Sequence, residues 1–450
     1  MKLDLSWEQA AKAMGGRVSS GNPQARFDSF FTDSRQAAPG AVFWALEGKA
    51  HDAHKFLPEL ARAGIGGAVV RQGKADMAAG IAQIIEVPDT LAALQSLSAY
   101  HRNRYNIPVA AVTGTNGKSS TKEMLKSIFS QKGRTCANQG NLNNQYGLPF
   151  SLLELGPEHA LAVFELGASR KGDIEEIARL AKPWVAVITN VSAAHLEFFG
   201  DLETVYRTKI EIADSLPPGG TLVYNCDDPL LRRLDAQWGG NRTTFGCGEA
   251  AQMRVLDGKE GELALSYQGA EHRMPFSAPG RHNRVNAAGA AAAALAIGLG
   301  WKEIGAGLSA YKPLPGRLQV EKRGSATIIF DAYNSNPASA KAALDTLASS
   351  AQGPRVAVLG DMKELGAHSA KYHRELGAYA ASLKLDKIFM AGPEMRHGYE
   401  TALESGAQAA TYDENFAQWL PQLKDAAAAG GTFLLKASRA MGFEEILKQL

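Results

Sequence analysis

One stretch constrains the possible folds of this chain more than any other, the segment VAAVTGTNGKSSTKEM at Val109–Met124. Its apolar beginning, Val109–Val112, is typical of a buried parallel strand, and its end, from Ser119 onward, is typical of a helix. Between them stand two glycines and a lysine: Gly114, Gly117 and Lys118. A strand, a glycine turn and a helix in this order predict an α/β fold with a phosphate-binding loop at the end of one strand.

The chemistry of such a loop follows from its residue types. Glycines let backbone N–H groups come close to an anion, and the helix N-terminus adds its positive dipole end. Lys118 would reach the β- and γ-phosphates of a nucleotide, and the Ser119 hydroxyl would hold Mg²⁺. A glycine turn with an exposed lysine is the alternative. The residues of this loop that we predict to bind ATP are Gly114, Thr115, Asn116, Gly117, Lys118, Ser119 and Ser120.

Length, charge and cysteine content narrow the class of protein. At 450 residues the chain is too long for one core, so we expect two to four domains. The net charge of +2 gives no sign of nucleic acid or an anionic membrane as a partner. The 3 cysteines lie far apart, which indicates free thiols in a reducing compartment and no metal pattern.

The sequence also predicts neither export nor a membrane span. The N-terminal residues lack the apolar run of a signal peptide. The longest run without a polar residue, Ala287–Trp301, is shorter than the roughly 20 apolar residues that a membrane helix needs. We therefore expect a cytoplasmic protein, and the lack of a coiled-coil pattern favours a monomer.

Two polar, proline-containing stretches divide the chain, RNRYNIP at Arg102–Pro108 and YKPLPGRLQV at Tyr311–Val320. They predict three α/β domains: an N-terminal domain at 1–104, a central phosphate-loop domain with a parallel sheet at 105–312, and a Rossmann-like domain at 313–450. A capping box at Ser6 and Gln9 starts the first helix. Further elements predicted in the first domain are Val42–Leu46, Gly66–Val70, Gln83–Val87 and the helix Thr90–His101.

Strands and helices alternate through the rest of the chain, which is typical of mostly parallel sheets covered by helices. Antiparallel strands within Arg254–Ser277 interrupt this pattern. The elements predicted in the central domain are Ala160–Glu165, Asp173–Ala181, Trp184–Thr189, Glu203–Ser215, Thr221–Tyr224 and Asn283–Leu299. Those predicted in the last domain are Ala326–Phe330, Pro337–Ser350, Arg355–Leu359, His368–Leu383, Lys387–Met390, Glu414–Ala428 and Thr432–Lys436.

Three residues of the central domain are candidates for chemistry. Glu165 ends a strand, where a carboxylate can hold Mg²⁺ or cap a helix, and we favour the metal role. His195 follows another strand and is a candidate ligand or a structural histidine. Lys209 lies on a predicted helix, and its pattern alone indicates a solvated lysine or a partner in an ion pair.

Polar residues in other loops fit two interpretations: they form solvated turns, or they contact a ligand. The glycine-rich loop GNLNNQYGLP is rich in amides that can read a polar substrate. A cation such as Arg317 can pair with a phosphate, and a strand-end acid such as Asp331 can accept from a ribose hydroxyl. The residues in question are Ser34, Arg35, Asn141, Asn143, Asn144, Asn283, Asn286, Arg317, Asp331, Asn334 and Asn336.

Together these motifs resemble one family. GTNGKSS, TNVSAAHLE, GRHNRVNA, LPGR and DAYNSNP stand in this order, with the Glu165 strand and the Lys209 helix between them. The chain is similar in this to the Mur ligases, ATP-dependent amide-bond ligases of peptidoglycan precursor synthesis. The resemblance runs from TDSR near the start to KASRAMGFEE at the end.

The resemblance implies roles for the candidate residues. Lys118 and the loop amides would bind the ATP phosphates, and Ser119 and Glu165 would hold one Mg²⁺. His195 would hold a second Mg²⁺ with a carbamate formed on Lys209. Asn283 and Asn286 would lie near the adenine, and Arg317 and Asp331 near phosphate and ribose. Ser34 and Arg35 would belong to a UDP-binding module. From the chemistry of their side-chain amides, we also predict that substrate is contacted by Asn141, Asn143, Asn144, Asn334 and Asn336.

One branch of the family fits best. The motifs GNLNNQYGLP, DAYNSNP and LGDMKELG resemble the branch that joins D-alanyl-D-alanine to UDP-N-acetylmuramoyl-tripeptide. The nearest alternative is a folylpolyglutamate synthase-like ligase, which has no UDP-binding first domain. A non-catalytic nucleotide-binding subunit descended from a ligase is a second alternative. A switch GTPase is disfavoured because the sequence contains no Asn-Lys dipeptide.

Overall fold

The computed structural model describes residues 3–27, 29–48, 51–194, 196–350 and 353–450 of the chain. Two compact units make up the chain, which we call the first and the second unit. The first unit comprises Met1–Val109, Gly133–Leu166 and Glu176–Pro183. The second unit comprises Ala110–Lys132, Gly167–Glu175 and Trp184–Leu450. The three-domain division at 104 and 312 stays a prediction.

A five-stranded sheet forms the centre of the first unit. In order across the sheet, its strands are Arg17–Ser20, Gln83–Val87, Gly67–Arg71, Val42–Trp44 and Phe30–Phe31. The Arg17–Ser20 strand is antiparallel to its neighbour, and the other neighbours run parallel. The predicted strand from Val42 ends at Trp44, two residues early, because the N–H of Leu46 bonds back to the Trp44 carbonyl and closes a turn.

Consecutive residues of these strands point to opposite faces, and each face carries its own core. Trp44, Val69 and Ile85 pack on one face with the helix Thr90–Arg102, and the Trp44 indole donates to the Thr90 carbonyl at 2.8 Å. The opposite face packs Phe43, Val70 and Ile84 against Leu57 and Leu60. Other helices of the first unit are Trp7–Ala13, whose predicted capping box at Ser6 is confirmed, Leu57–Arg62 and Gly147–Leu153. Paired short strands are Leu5–Ser6 with Arg26–Phe27, and Thr135–Ala137 with Leu161–Glu165.

The second unit contains two sheets. In order across the first of them, its strands are Ala270–Pro275, Glu262–Tyr267, Met253–Leu256, Asn241–Gly246, Thr221–Asn225, Val185–Ile188 and Val109–Thr113. The first three strands pair antiparallel, as predicted, and the remaining pairs are parallel. The helices and helical turns around this sheet are Lys118–Phe129, Leu196–Phe199, Leu202–Ile210, Glu211–Ser215, Leu231–Arg233, Leu234–Gln237, Arg281–Ala296 and Trp301–Ala310. The predicted helix Asp173–Ala181 is confirmed with both bounds.

Glycine and alanine let these helices pack closely. A Cβ atom at Gly289 would lie 2.9 Å from the Phe245 ring, so the alanine-rich helix Arg281–Ala296 sits directly on the strand below it. Gly307 plays the same part where helix Trp301–Ala310 crosses the backbone of Ile128.

The second sheet of this unit has six strands. In order they are Gln319–Arg323, Ala326–Asp331, Gly431–Lys436, Arg355–Gly360, Lys387–Ala391 and Ala410–Tyr412, all parallel except the first. Its helices are Pro337–Ala348, Ser369–Ser382, Met395–Glu404, Leu420–Ala429 and Glu444–Gln449. Apolar clusters cover both faces, which confirms the predicted α/β architecture. The predicted helix Glu414–Ala428 begins only at Leu420.

Our sequence analysis missed the helix Met395–Glu404. Its glycine, Gly398, lies against Gly377 of the helix Ser369–Ser382, and a Cβ on Gly377 would overlap the Gly398 carbonyl. A glycine in the middle of a helix weakens its intrinsic propensity, so only the tertiary contact reveals this helix. Within the described part of the chain, no helix has both the length and the apolar character that a membrane crossing requires.

Candidate active site

Two glycines give the predicted phosphate loop its shape. Gly114 and Gly117 have φ values of 139° and 80°, where a side chain strains the backbone. A Cβ atom at Gly114 would overlap the hydroxyl of Thr189, and one at Gly117 would overlap the side-chain amide of Asn286. The strand, glycine turn and helix predicted from the sequence are therefore confirmed, with both glycines required by conformation and by space.

Lys118 begins the helix and turns its side chain back over the loop. Its Nζ donates to the carbonyls of Gly114 and Thr115, each at 2.9 Å. Ser119 and Ser120 follow in the first turn, and both are buried. The ammonium group and the helix N-terminus thus place positive charge at the same loop.

The neighbouring strand of the sheet ends in a segment that holds the loop. The carbonyl of Asn116 accepts from the Thr189 hydroxyl at 2.5 Å and from the Asn190 side chain at 2.9 Å. The Asn116 N–H donates to Asn190 Oδ1 at 3.0 Å, and the Ser192 N–H donates to the Thr115 hydroxyl at 3.0 Å. These bonds hold the loop through neighbouring residues of the protein itself.

Asp228 in turn fixes that holding segment. This buried carboxylate accepts hydrogen bonds from the N–H groups of Val191 at 2.6 Å, Leu230 at 2.9 Å and Leu231 at 3.2 Å. Our sequence analysis gave Asp228 no role, since an acid after a strand carries no mark of which distant N–H it accepts.

The second sheet reaches the same loop through Asn336. Its Nδ2 donates to Asn116 Oδ1 at 2.7 Å, and Asn116 Nδ2 donates back to Asn336 Oδ1 at 3.2 Å. Asn336 also caps the helix Pro337–Ala348, because its Oδ1 accepts from the Ser339 N–H at 3.0 Å. One amide therefore joins the phosphate loop to a helix N-terminus.

An ion pair between a buried lysine and a partly buried aspartate lies at the end of two strands of the second sheet. Lys436, 2% exposed, places Nζ 2.9 Å from Asp331 Oδ2 and 2.6 Å from the carbonyl of Asn334. The other oxygen of Asp331 accepts from the Leu318 N–H at 3.1 Å. The sequence analysis missed Lys436, whose partner lies on a strand more than a hundred positions earlier.

These groups surround one cavity of about 310 Å³, near the lower end of the range of small-molecule sites. Burial holds the pKa of its His282 below the usual range, so this imidazole is neutral at pH 7. Every residue predicted to bind ATP lines the cavity except Gly114. The lining residues used in this account are Thr115, Asn116, Gly117, Lys118, Ser119, Ser120, Asp228, His282, Asn283, Asn286, Arg317, Asp331, Tyr333, Asn334, Asn336 and Lys436.

Glu165 lies in the first unit and is held by two asparagines. Its carboxylate Oε1 accepts from Asn143 Nδ2 at 2.7 Å, and its N–H donates to Asn138 Oδ1 at 2.9 Å. Asn144 accepts from the Gly147 N–H at 2.9 Å, which fixes the start of a helix. The amide-rich loop therefore has a structural part, and Asn141 in the same loop is exposed.

Lys209 is buried, with 3% of its surface exposed, on the helix Leu202–Ile210. Its Nζ lies 5.8 Å from the centroid of the Phe199 ring. The interpretation of Lys209 as a solvated lysine is therefore wrong. His195, the other predicted ligand of this region, lies outside the described residues.

Comparisons with known proteins agree over most of the chain. The Mur ligase middle domain matches residues 112–294, and the Mur ligase glutamate ligase domain matches residues 316–439. The chain is 36% identical to the UDP-N-acetylmuramoyl-tripeptide–D-alanyl-D-alanine ligase of Escherichia coli K12, over 94% of this chain and 93% of the relative. The ligase of the same name from Bacillus subtilis is 34% identical over 93% and 92%. This chain belongs to the Mur ligase family.

Solved structures show the same relationship. The Mur ligase MurF from Acinetobacter baumannii superposes with a TM-score of 0.92 at 33% identity, over 99% of this chain and 98% of that one. MurF from Thermotoga maritima in complex with ADP has a TM-score of 0.83 at 28% identity, over 94% and 96%. Both the α/β fold and the family expected from the sequence are confirmed.

The predicted UDP-side residues of this Mur ligase lie in the first unit. Ser34 and Arg35 form a single helical turn capped by Asp33. Arg35 is exposed and binds the Asp33 carboxylate at 2.5 Å, and these hydrogen bonds lower the pKa of Asp33 to about 2. The guanidinium already has an anionic partner, so a phosphate contact from Arg35 stays a prediction.

Proposed function

We propose that this Mur ligase joins D-alanyl-D-alanine to UDP-N-acetylmuramoyl-tripeptide, with ATP as the energy source, during peptidoglycan precursor synthesis. The single observation that carries the proposal is the cavity in which the prearranged loop at Lys118 faces Asn283, Asn286, Arg317 and Asp331. The full-length similarity to ligases of this name supports the choice of substrates.

Within the cavity, we assign the ATP phosphates to the loop N–H groups and Lys118. The positive helix end and the ammonium group stabilise negative charge on the transferring phosphoryl group, which is mostly positioning and electrostatics. Asn283 and Asn286, both buried on the helix Arg281–Ala296, take the adenine side. Arg317 and Asp331 take the phosphate and ribose side.

Two Mg²⁺ ions belong to the proposal, and the donor atoms fit them. Hydroxyl and carboxylate oxygens are the ligands that Mg²⁺ prefers, and Ser119 and Glu165 supply one of each. Asn143 orients the Glu165 carboxylate, as a hydrogen-bonded second partner does in metal sites. For the second ion, the family resemblance assigns His195 and a carbamate on Lys209. Bound Mg²⁺ would neutralise charge on the phosphates.

The reaction proceeds in two steps. An oxygen of the tripeptide's terminal carboxylate attacks the γ-phosphorus of ATP. A new O–P bond gives an acyl phosphate, and the bond from this phosphorus to the oxygen shared with the β-phosphate breaks as ADP leaves. The amine of D-alanyl-D-alanine then attacks the acyl carbon, an amide bond forms, and inorganic phosphate leaves with the bridging oxygen. Water must be excluded in between, because it would hydrolyse the acyl phosphate.

Substrate contacts and the state of the protein complete the proposal. Ser34 and Arg35 contact the UDP part, and Asn141, Asn143, Asn144, Asn334 and Asn336 contact the remaining substrate groups. The protein acts as a monomer in the cytoplasm, where the ATP that the reaction consumes is available.

The test is ADP release by the purified protein with ATP, Mg²⁺ and the tripeptide nucleotide, with and without D-alanyl-D-alanine. We expect turnover only when both the tripeptide nucleotide and D-alanyl-D-alanine are present. The turnover rate of Lys118→Ala should be lower than that of the wild type by on the order of 100-fold or more. Lys126→Ala is the matched control, because Lys126 lies on the same helix and is about half exposed. Turnover with glutamate and a folate instead would overturn the choice of substrates.

A further inference from the structure

Two arginines share one aromatic ring beside the cavity. The guanidinium carbon of Arg317 lies 4.3 Å from the centroid of the Tyr333 ring, and that of Arg439 lies 5.3 Å from the same centroid. Both distances are within the range of a cation–π interaction, about 6 Å. Arg317 and Tyr333 line the cavity, so this cluster borders the space assigned to the nucleotide.

Neither guanidinium is neutralised by a carboxylate. Among the residues that the structure describes, Arg317 and Arg439 form no ion pair. Two cations on one ring repel each other and create a positive potential, which an anion would relieve. The cluster therefore has the charge and the donors to receive an anion such as a phosphate.

The backbone around Arg317 is fixed on both sides. The Tyr333 N–H donates to the carbonyl of Gly316 at 3.1 Å, and the Leu318 N–H donates to Asp331 Oδ1 at 3.1 Å. The remaining freedom of Arg317 is in its side chain, whose guanidinium lies over the Tyr333 ring. The ring is therefore in contact with the one part of Arg317 that the backbone hydrogen bonds leave free to move.

We propose that Tyr333 is a positioning residue that aims Arg317 into the cavity, and that Arg439 on the same ring is a second cation for the anionic ligand bound there. The identification of that anion as the polyphosphate of ATP rests on the proposed function. The side chain of Arg439 is exposed on the helical turn Arg439–Met441, next to the buried Ser438, so it can turn toward a ligand without breaking a core contact.

Binding of a non-hydrolysable ATP analogue, measured by calorimetry, tests the role of the ring. We expect Tyr333→Leu to weaken binding roughly threefold to tenfold, the range of a partly desolvated cation–π contact, and Tyr333→Phe to restore it to within about twofold. Tyr372→Leu is the matched control, because Tyr372 has a lysine 5.7 Å from its ring but does not line the cavity. Equal binding by Tyr333→Leu and the wild type would overturn the proposal.

A double-mutant comparison tests whether Tyr333 acts through the arginines. Arg317→Met and Arg439→Met should each weaken analogue binding. In a protein that carries both arginine substitutions, adding Tyr333→Leu should weaken binding little further. If Tyr333→Leu weakens binding as much without the arginines as with them, the ring acts on another group and the proposal is wrong. Arg439→Met changes an exposed side chain, so this variant stays informative if Tyr333→Leu does not fold.

The binding measurement separates this proposal from the proposed function. Analogue binding that depends on Tyr333 and Arg439, without ligase turnover by the wild type, would support the cluster and overturn the assigned reaction. Ligase turnover with an unchanged KM for ATP and unchanged kcat in Tyr333→Leu and Arg439→Met would support the reaction and overturn the cluster.

Discussion

The side-chain amides of Asn116 and Asn336 exchange two hydrogen bonds, at 2.7 and 3.2 Å, across 220 positions of the sequence. Asn116 belongs to the phosphate loop, and Asn336 caps the helix Pro337–Ala348. The shape of the loop therefore depends on a residue that caps a helix of the second sheet, and this contact joins the two parts of the cavity wall.

Replacing Asn336 separates its two roles. Asn336→Asp keeps an acceptor for the Ser339 N–H but removes the donor to Asn116, whereas Asn336→Ala removes both. A lost cap and a lost hydrogen bond each cost about 1 kcal/mol. We expect the thermal midpoint to fall in the order wild type, Asn336→Asp, Asn336→Ala. In addition, Asn116→Ala should cost less in the Asn336→Ala background, and strictly additive losses would contradict the pair.

The two loop glycines should not tolerate a side chain. Gly114→Ala and Gly117→Ala combine a positive φ with overlap against Thr189 and Asn286. We expect both variants to lose nucleotide binding by at least tenfold, since the loop must shift by more than a rotamer change. Gly305→Ala is the control, because Gly305 lies within the helix Trp301–Ala310 and a Cβ atom there would have no other atom within 4 Å. Calorimetry with the ATP analogue measures this, and normal binding by Gly117→Ala would contradict the account of the loop.

Breaking the ion pair of Asp331 and Lys436 should destabilise the protein. Asp331→Asn leaves the ammonium of Lys436, 2% exposed, without its counter-ion. Removing one partner of a fully buried pair costs about 3–5 kcal/mol, and we expect a smaller loss here because the Asp331 side chain is 15% exposed. The double variant Asp331→Asn, Lys436→Met should recover part of this loss. Denaturant unfolding of the single and double variants measures it. The exposed pair of Lys448 and Glu445 supplies the control, since Lys448→Met should leave the midpoint unchanged.

Acidification should destabilise the protein through His373. Its Nε2 accepts from the Met362 N–H at 3.0 Å and its Nδ1 donates to the Ser369 carbonyl at 2.8 Å, so the folded state holds the neutral ring. Burial holds the pKa of His373 below its usual value of 6.5, so the unfolded chain binds a proton that the folded chain does not. The contribution of His373 to the free energy of unfolding is therefore present above pH 6.5 and is lost as the pH falls below that value.

Thermal midpoints between pH 8 and pH 5 measure this dependence. We expect His373→Gln to have a lower midpoint at pH 8 and a shallower decline below pH 6.5 than the wild type. His368→Gln, an exposed histidine of the same region, is the matched control and should keep the wild-type slope. An unchanged slope in His373→Gln would assign the dependence to His101 and His282, the other histidines whose pKa desolvation lowers.

Local patterns predicted much of this fold because they report local physics. The strand, loop and helix around Lys118 and the strand Gln83–Val87 follow from apolar runs, glycine positions and caps. Contacts between distant segments leave no such mark. The helix Met395–Glu404 packs through a glycine–glycine crossing, and Lys209 is buried although a lysine between Arg207 and Glu211 gives no sign of burial.

The candidate site divides in the same way. The loop residues could be predicted one by one, since glycine, lysine and serine at that spacing have a chemical reason. The roles of Asp228 and Lys436 could not be predicted, because they depend on partners that only the fold brings near. Asp228 accepts from the Val191 N–H, and Lys436 pairs with the carboxylate of Asp331. The family resemblance supplied Lys209, which its own pattern would have assigned to the surface.

Transfer of oxygen tests the central claim, that the tripeptide carboxylate is activated by phosphoryl transfer from ATP. The experiment uses UDP-N-acetylmuramoyl-tripeptide labelled with ¹⁸O in its terminal carboxylate, together with ATP, Mg²⁺ and D-alanyl-D-alanine, and mass spectrometry of the released phosphate. The account predicts one ¹⁸O atom in each phosphate, because the bridging oxygen of the acyl phosphate leaves with phosphorus. Amide product accompanied by unlabelled phosphate would contradict it.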